Sequence, residues 1–365
     1  MASSLYNPAP DADYDTAPDP LWPRSLTERP STPRLAYLDM NFWISFAKAA
    51  VGHPAGDRYR AAWEACRAAK AGGAVTFPLA DCHYVELSKI RNPRQRSDVA
   101  EVMEELSGFT AILAKPTIMR IELDLSLAAL FGEEHGLLQG LPLLGWGMAW
   151  AFGCVGLRFG DGTSDTTDFI RQSFPDLYDN VRLMFERAML QGPQDAQLDA
   201  LRARGWVPDA GTSVAEQRAQ QEREQADRFD LDAAWRAGRL RDVILARELV
   251  VELFDMLNEA LAARGRRFSD LNLDMHRLRA RQLVRSMPSS EVSVELKRAA
   301  HRNPQLGWNA NDVFDIDAMS LAVPYCDIVA TERRACATVR AAHLDRRMAT
   351  LAVATPDDLI AAVAS

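Results

Sequence analysis

The stretch Arg34–Ala49, RLAYLDMNFWISFAKA, decides how the chain is read. Leu35 to Leu38 is a short apolar run suited to a buried strand, and from Phe42 to Val51 the apolar residues recur at helical spacing, with Asn41 near the N-cap. Asp39 therefore stands where a strand gives way to a helix. Open α/β sheets bind ligands outside the carboxyl ends of their strands, so a carboxylate at this junction is a candidate for chemistry.

Working outward, the same grammar repeats. Tyr59 to Ala71 predicts a helix stopped by Gly72 and Gly73, Ala74 to Phe77 a second strand, Leu79 to Ile90 a helix bearing Glu86, and Asp98 to Leu106 another. Near the far end, residues 311–333 read NDVFDIDAMSLAVPYCDIVATER. Here Asp312, Asp315 and Asp317 precede or open a helix that is expected to stop before Pro324, and Asp327 precedes a strand at Ile328 to Ala330. Glu332 to Arg340 predicts a helix, Thr350 to Ala354 a strand, and Pro356 to Val363 a closing helix. This order suits a parallel sheet. Carboxylates that converge repel one another, and a divalent cation is the usual relief, which points to metal-dependent chemistry on a phosphate ester.

Between these ends the sequence reads as nearly all helix. Val214 to Ala263 is rich in Ala, Glu, Gln, Arg and Leu. Its first half is polar nearly all round, as in a solvated arm or a partner-facing helix, and its second half is amphipathic. The expected organisation is a Pro-rich disordered arm at 1–33, an α/β domain made of 34–110 and 303–365, and an all-α insertion at 111–302.

Composition narrows the function classes. The 365 residues are 48% hydrophobic, enough for a sizeable core, and carry a net charge of -8, which argues against a generally basic nucleic-acid coat but not against local basic patches. Five scattered cysteines without CxxC spacing read as reduced thiols, and the Pro-, Asp- and Ser-rich opening has no apolar signal segment, so a cytoplasmic protein is expected. Leu137 to Leu157 is uncharged and near the ~20 residues of a bilayer span. Pro142 and several glycines interrupt it, so a buried helix pair is expected, with no membrane partner. The six histidines do not cluster, which argues against a His-based metal site. His83, three residues before Glu86, reads as an ordinary half-buried residue.

Taken together, LAYLDMN with Asp39 and Asn41, Glu86 on a helix after the second strand, DIDAMSLAVPYCDIVAT with Asp315, Asp317 and Thr331, and the ending LAVATPDDLIAAV resemble a PIN-like nuclease domain. The resemblance covers about 140 residues, and its ordered set of four motifs carries it. It implies a PIN-like parallel sheet and a hydrolase that uses Mg2+ or Mn2+ on RNA, leaving a 5′-phosphate and a 3′-hydroxyl. It implies Asp39, Glu86, Asp315 and Asp317 as catalytic acids. Asp39 and Asp317 would be direct metal ligands, and Glu86 and Asp315 would hold metal waters or a second ion. Asn41 and Thr331 would orient carboxylates by hydrogen bonding. The family's last Asp falls two positions after the Thr, where this chain has Arg333. Glu332 is then the substitute metal ligand, unless Asp312 or Asp327 serves or the fourth ligand is missing. The long insertion is not part of a minimal domain of this type.

A phosphate backbone needs cationic guides. Lys89, Arg91, Arg94 and Arg96, on an expected loop after Glu86, are the favoured substrate-binding set, and Trp308 is a candidate stacking face. Nucleases of this sort often serve as toxins or in defence against phage, so an antitoxin or a second copy is an expected partner for the polar helix. Two alternatives stay open. One is a PIN-like body that binds RNA or protein with little catalysis. The other is a haloacid dehalogenase-like phosphatase, although Asn41 stands where that family has an acidic residue. The plain structural readings are Asp39 as a strand-end cap, Asp315 or Asp317 as helix caps and Asp312 as a turn residue.

Overall fold

The computed structural model describes residues 33–138, 141–154, 156–160, 164–193, 195–205, 210–231, 233–273, 277–305 and 307–365. The expected N-terminal arm lies, but for its last residue, outside them. The chain is α/β: a parallel four-stranded sheet set among many helices. The strands are β1 (Arg34–Leu38), β2 (Val75–Thr76), β3 (Thr110–Ile112), β4 (Leu144–Trp146), β5 (Ile328–Ala330) and β6 (Leu351–Val353). The first five helices are α1 (Met40–Ala50), α2 (Arg60–Ala71), α3 (Asp81–Ser88), α4 (Pro93–Ser107) and α5 (Lys115–Phe131).

The sheet runs β2-β1-β5-β6, so the strand that opens the domain pairs with one almost 300 residues later. Tyr37 stands opposite Val329 and Leu38 opposite Ala330. The central β1 is buried on both faces, which is why LAYL is apolar without alternation. Successive side chains still point to opposite sides. Ala36 and Leu38 join one core with Trp43, Phe46, Phe77 and Leu106, while Leu35 and Tyr37 join another with Met319, Tyr325 and Val329. Full burial of a side chain such as Phe46 stabilises the fold by about 2–3 kcal/mol.

The segment 111–302 is not all helix. β3 and β4 form an antiparallel pair there, and a parallel bridge between Leu79 and Ala111 sets β3 beside the chain leaving β2. The uncharged stretch expected to be a helix pair instead supplies β4 and the short helix Met148–Phe152. Gly147 between them adopts φ 82°, and a Cβ there would meet Glu186, so a continuous helix is blocked. Among the described residues no helix is long and apolar enough to cross a membrane.

The remaining helices pack around a core of their own, in which Leu245, Leu249, Leu253, Leu257 and Leu261 recur every fourth residue. Helix α5 joins the layers: Ile118 and Ile121 face the sheet core, and Leu123 and Leu127 the helical one. The polar helix Ala210–Leu231 is not a solvated arm. It lies along the helix Ala310–Tyr325, with Ala215 and Ala219 buried against Val313.

Candidate active site

The site is built at the carboxyl ends of β1 and β5. Asp39 continues the ladder, its amide donating to the Ala330 carbonyl at 2.9 Å, and then caps α1. Its carboxylate accepts from the Thr331 hydroxyl at 3.0 Å and from the Asn41 amide at 3.4 Å. Both partners are those the sequence pointed to, although Asn41 acts through its backbone and Asp39, not Asn41, is the cap. Burial raises the Asp39 carboxyl above its usual range, partly offset by these hydrogen bonds and by those from the Met40 and Glu332 backbone.

Glu86 on α3 is pushed up to about 7, first by burial and then by the negative charge of Asp39 and Asp315. Asp315 also rises to about 7. Crowding by protein around its carboxyl contributes most, followed by the charges of Asp39, Glu332 and Asp312. Its side chain nevertheless reaches solvent at the rim. Three segments far apart in sequence thus bring Asp39, Glu86 and Asp315 close enough to feel one another's charge, with Glu332 exposed on the same rim. Lys89 is the cation that offsets both Glu86 and Asp315, and its ammonium also lies 3.7 Å from the centre of the Phe314 ring.

Asp317 does not stand with this group. The expected helix start was too late: the helix runs Ala310–Tyr325, holds Pro324 in its last turn, and carries both Asp315 and Asp317 in its interior. Two positions on an α-helix differ by about 200°, so the two carboxylates leave opposite sides. Asp317 turns inward to Lys115 at 2.6 Å and to Arg218, which comes from the polar helix Ala210–Leu231. Burial works to raise its carboxyl, but these two cations hold it far below the ordinary carboxylate range. Neither cation was singled out from the sequence, and no short-range pattern marks them: Lys115 lies 202 residues from Asp317.

Other expectations change as well. Asp327 accepts the Leu35 amide at 2.7 Å at the opposite end of the sheet, so it is a strand tie and no fourth acid. Arg96 is buried on α4 and donates to the Ile90 carbonyl at 3.0 Å and the Pro193 carbonyl at 2.7 Å, which removes it from any substrate path. Arg94 lies on the same helix and not on a loop, exposed like Arg91. Trp308 is only 4% exposed and lies 4.8 Å from the His301 ring centre, so it offers no open stacking face. It lines instead a cavity of about 110 Å3 beside the acids, with Asp312, Asp315, Glu332 and Arg334 on its walls. Asp312 closes a capping box with Asn309, as its place near the helix start suggests.

His83 is fully buried, not half-buried. Its Nδ1 accepts from the Ala80 amide at 2.9 Å, which leaves Nε2 to donate to the Leu38 carbonyl at 2.8 Å. Burial presses its pKa down to about 4, so the ring stays neutral. It fastens the helix carrying Glu86 to the residue before Asp39.

The donor set suits a hard cation: all carboxylate oxygens, two of them raised to about 7 by burial and by neighbouring negative charge. Among the described residues, however, no three such groups already stand in metal-holding geometry. Binding would have to draw the carboxylates together. No family model, curated protein or solved structure matches the chain.

Proposed function

We propose that this chain is a metal-dependent nuclease of PIN-like type that hydrolyses phosphodiester bonds in RNA. The meeting of Asp39, Glu86 and Asp315 at the carboxyl edge of a parallel sheet carries this reading.

Asp39, Glu86 and Asp315 would hold Mg2+ or Mn2+, with Glu332 at the rim; Asp317, already paired, would not. When bound, such an ion supplies charge neutralisation at the phosphate and lowers the pKa of a coordinated water. The chain's own residues do the rest. Thr331 fixes the Asp39 carboxylate, and His83 fixes the approach of α3. A carboxylate at 86 or 315 accepts a proton from the attacking water as its oxygen bonds to phosphorus and the bond to the 3′-oxygen breaks. The departing oxygen takes a proton from solvent. Lys89, whose charge acts on Glu86 and Asp315, would meet a phosphate oxygen.

A single-stranded RNA incubated with manganese tests the proposal. Cleavage that disappears in Asp39→Asn supports it. RNA bound but uncut at millimolar metal would leave a binding module, which the absence of a preformed three-ligand set among the described residues would then explain. A trapped phospho-aspartate would instead make the chain a phosphatase.

A further inference from the structure

The least buried face of α1 leads away from the acids. Asn41, Ser45 and Lys48 follow one another at spacings of four and three, so they share one side of the helix. Lys48 lies nine residues beyond Asp39, about 13 Å along the axis at 1.5 Å per residue. There α1 packs on α4, and the two enclose an open cavity of about 290 Å3. Its floor is apolar, with Ile44, Ala47 and Val99. Lys48 and Arg94 flank it from the two helices, with His53 beside them.

Most basic side chains near the centre of this protein are spent on carboxylates or carbonyls, as Lys115, Arg96 and Arg218 show. Lys48 and Arg94 have no ion-pair or hydrogen-bond partner for their side chains among the described residues. One carboxylate, Asp98, also lines the cavity, and the Asn92 side-chain oxygen is committed to capping α4 through the Arg94 and Gln95 amides.

We propose that this cavity is a nucleotide subsite. It would receive a phosphate and its base from a single strand whose scissile bond lies at the acids, a few nucleotides away. The assignment rests on the nuclease reading for the strand's direction, but the binding chemistry is its own. Two free cations suit a phosphate, the apolar floor suits the face of a base, and Asp98 and Gln95 offer hydrogen bonds to base edges. Arg91 and Arg96 do not line the cavity.

The test is fluorescence anisotropy with the full chain and a labelled ten-nucleotide single-stranded RNA, at several salt concentrations. Lys48→Glu with Arg94→Glu should weaken binding about tenfold or more and flatten the salt dependence by about two ions. Arg204→Glu with Arg302→Glu, two exposed arginines outside the cavity, should change it far less. Equal losses in the two double variants, no loss in the first, or no binding by the native chain would overturn the subsite. Cleavage is read separately. Binding lost only in the first variant, with no cutting by the native protein in millimolar Mg2+, would keep the subsite and remove the hydrolase.

Discussion

Asp315 and Asp317, two residues apart on one helix, do opposite work: the first faces a cluster of carboxylates, the second a pair of cations. Their substitutions should therefore separate. Asp315→Asn should abolish hydrolysis and leave stability at neutral pH unreduced or somewhat raised, since it removes a crowded negative charge. Asp317→Asn should cost about 3 kcal/mol, because Lys115 and Arg218 lose their shared partner in a poorly solvated place. Urea unfolding of both variants, beside RNA cleavage, checks the contrast.

The acidic cluster should make stability depend on pH and on metal. Glu86 and Asp315 have folded-state values raised to about 7. Their contribution is complete below the ordinary carboxylate value and is lost as pH rises through about 7. The melting temperature without metal should fall between pH 6 and pH 8, and fall less in Glu86→Gln. Millimolar Mg2+ should raise it more at pH 8 than at pH 6. A metal effect that is equal at both pH values would count against the cluster as the binding place.

Thr331→Val removes the hydroxyl that donates to Asp39 while keeping the shape. A partner of this sort is worth roughly 10–100-fold in metal affinity or activity. Thr331→Ser should retain most of the rate. Manganese titration followed by initial rates distinguishes a lost hydrogen bond from a lost fold.

His83→Phe should destabilise the chain by about 2 kcal/mol or more, since two buried backbone groups lose their partner. The carbonyl at Leu38 is one of them, so activity should fall further than in other variants of equal stability. Thermal melts paired with kcat at a temperature where both proteins are folded measure the excess.

Much of the α/β frame was legible because its strands are short apolar runs and its helices are amphipathic. β5 was read residue for residue, and β1 and the closing helix to within a residue. The same local reading brought Asp39, Glu86 and Asp315 forward, and the resemblance to a known family added Thr331. Local reading failed where long-range electrostatics decide. Nothing near Asp317 in sequence says that Arg218 will reach it, and a polar helix looks like a solvated one until its glutamates and arginines are seen facing inward. Pro324 misled for a local reason: in the last turn a proline interrupts few helical bonds, so the helix passes through it. β4 was hidden because glycines and aromatic residues without charge fit a buried helix and a short strand equally well.

The clasp of Arg218 on Asp317 has an outcome for anyone who wishes to trim this protein. Deleting the polar helix would leave Asp317 with Lys115 alone and uncover the face of Ala310–Tyr325 on which Ala215 and Ala219 pack, loosening the segment that presents Asp315. A minimal catalytic fragment would have to keep that helix, so the helical portion is less an accessory than the other half of a latch.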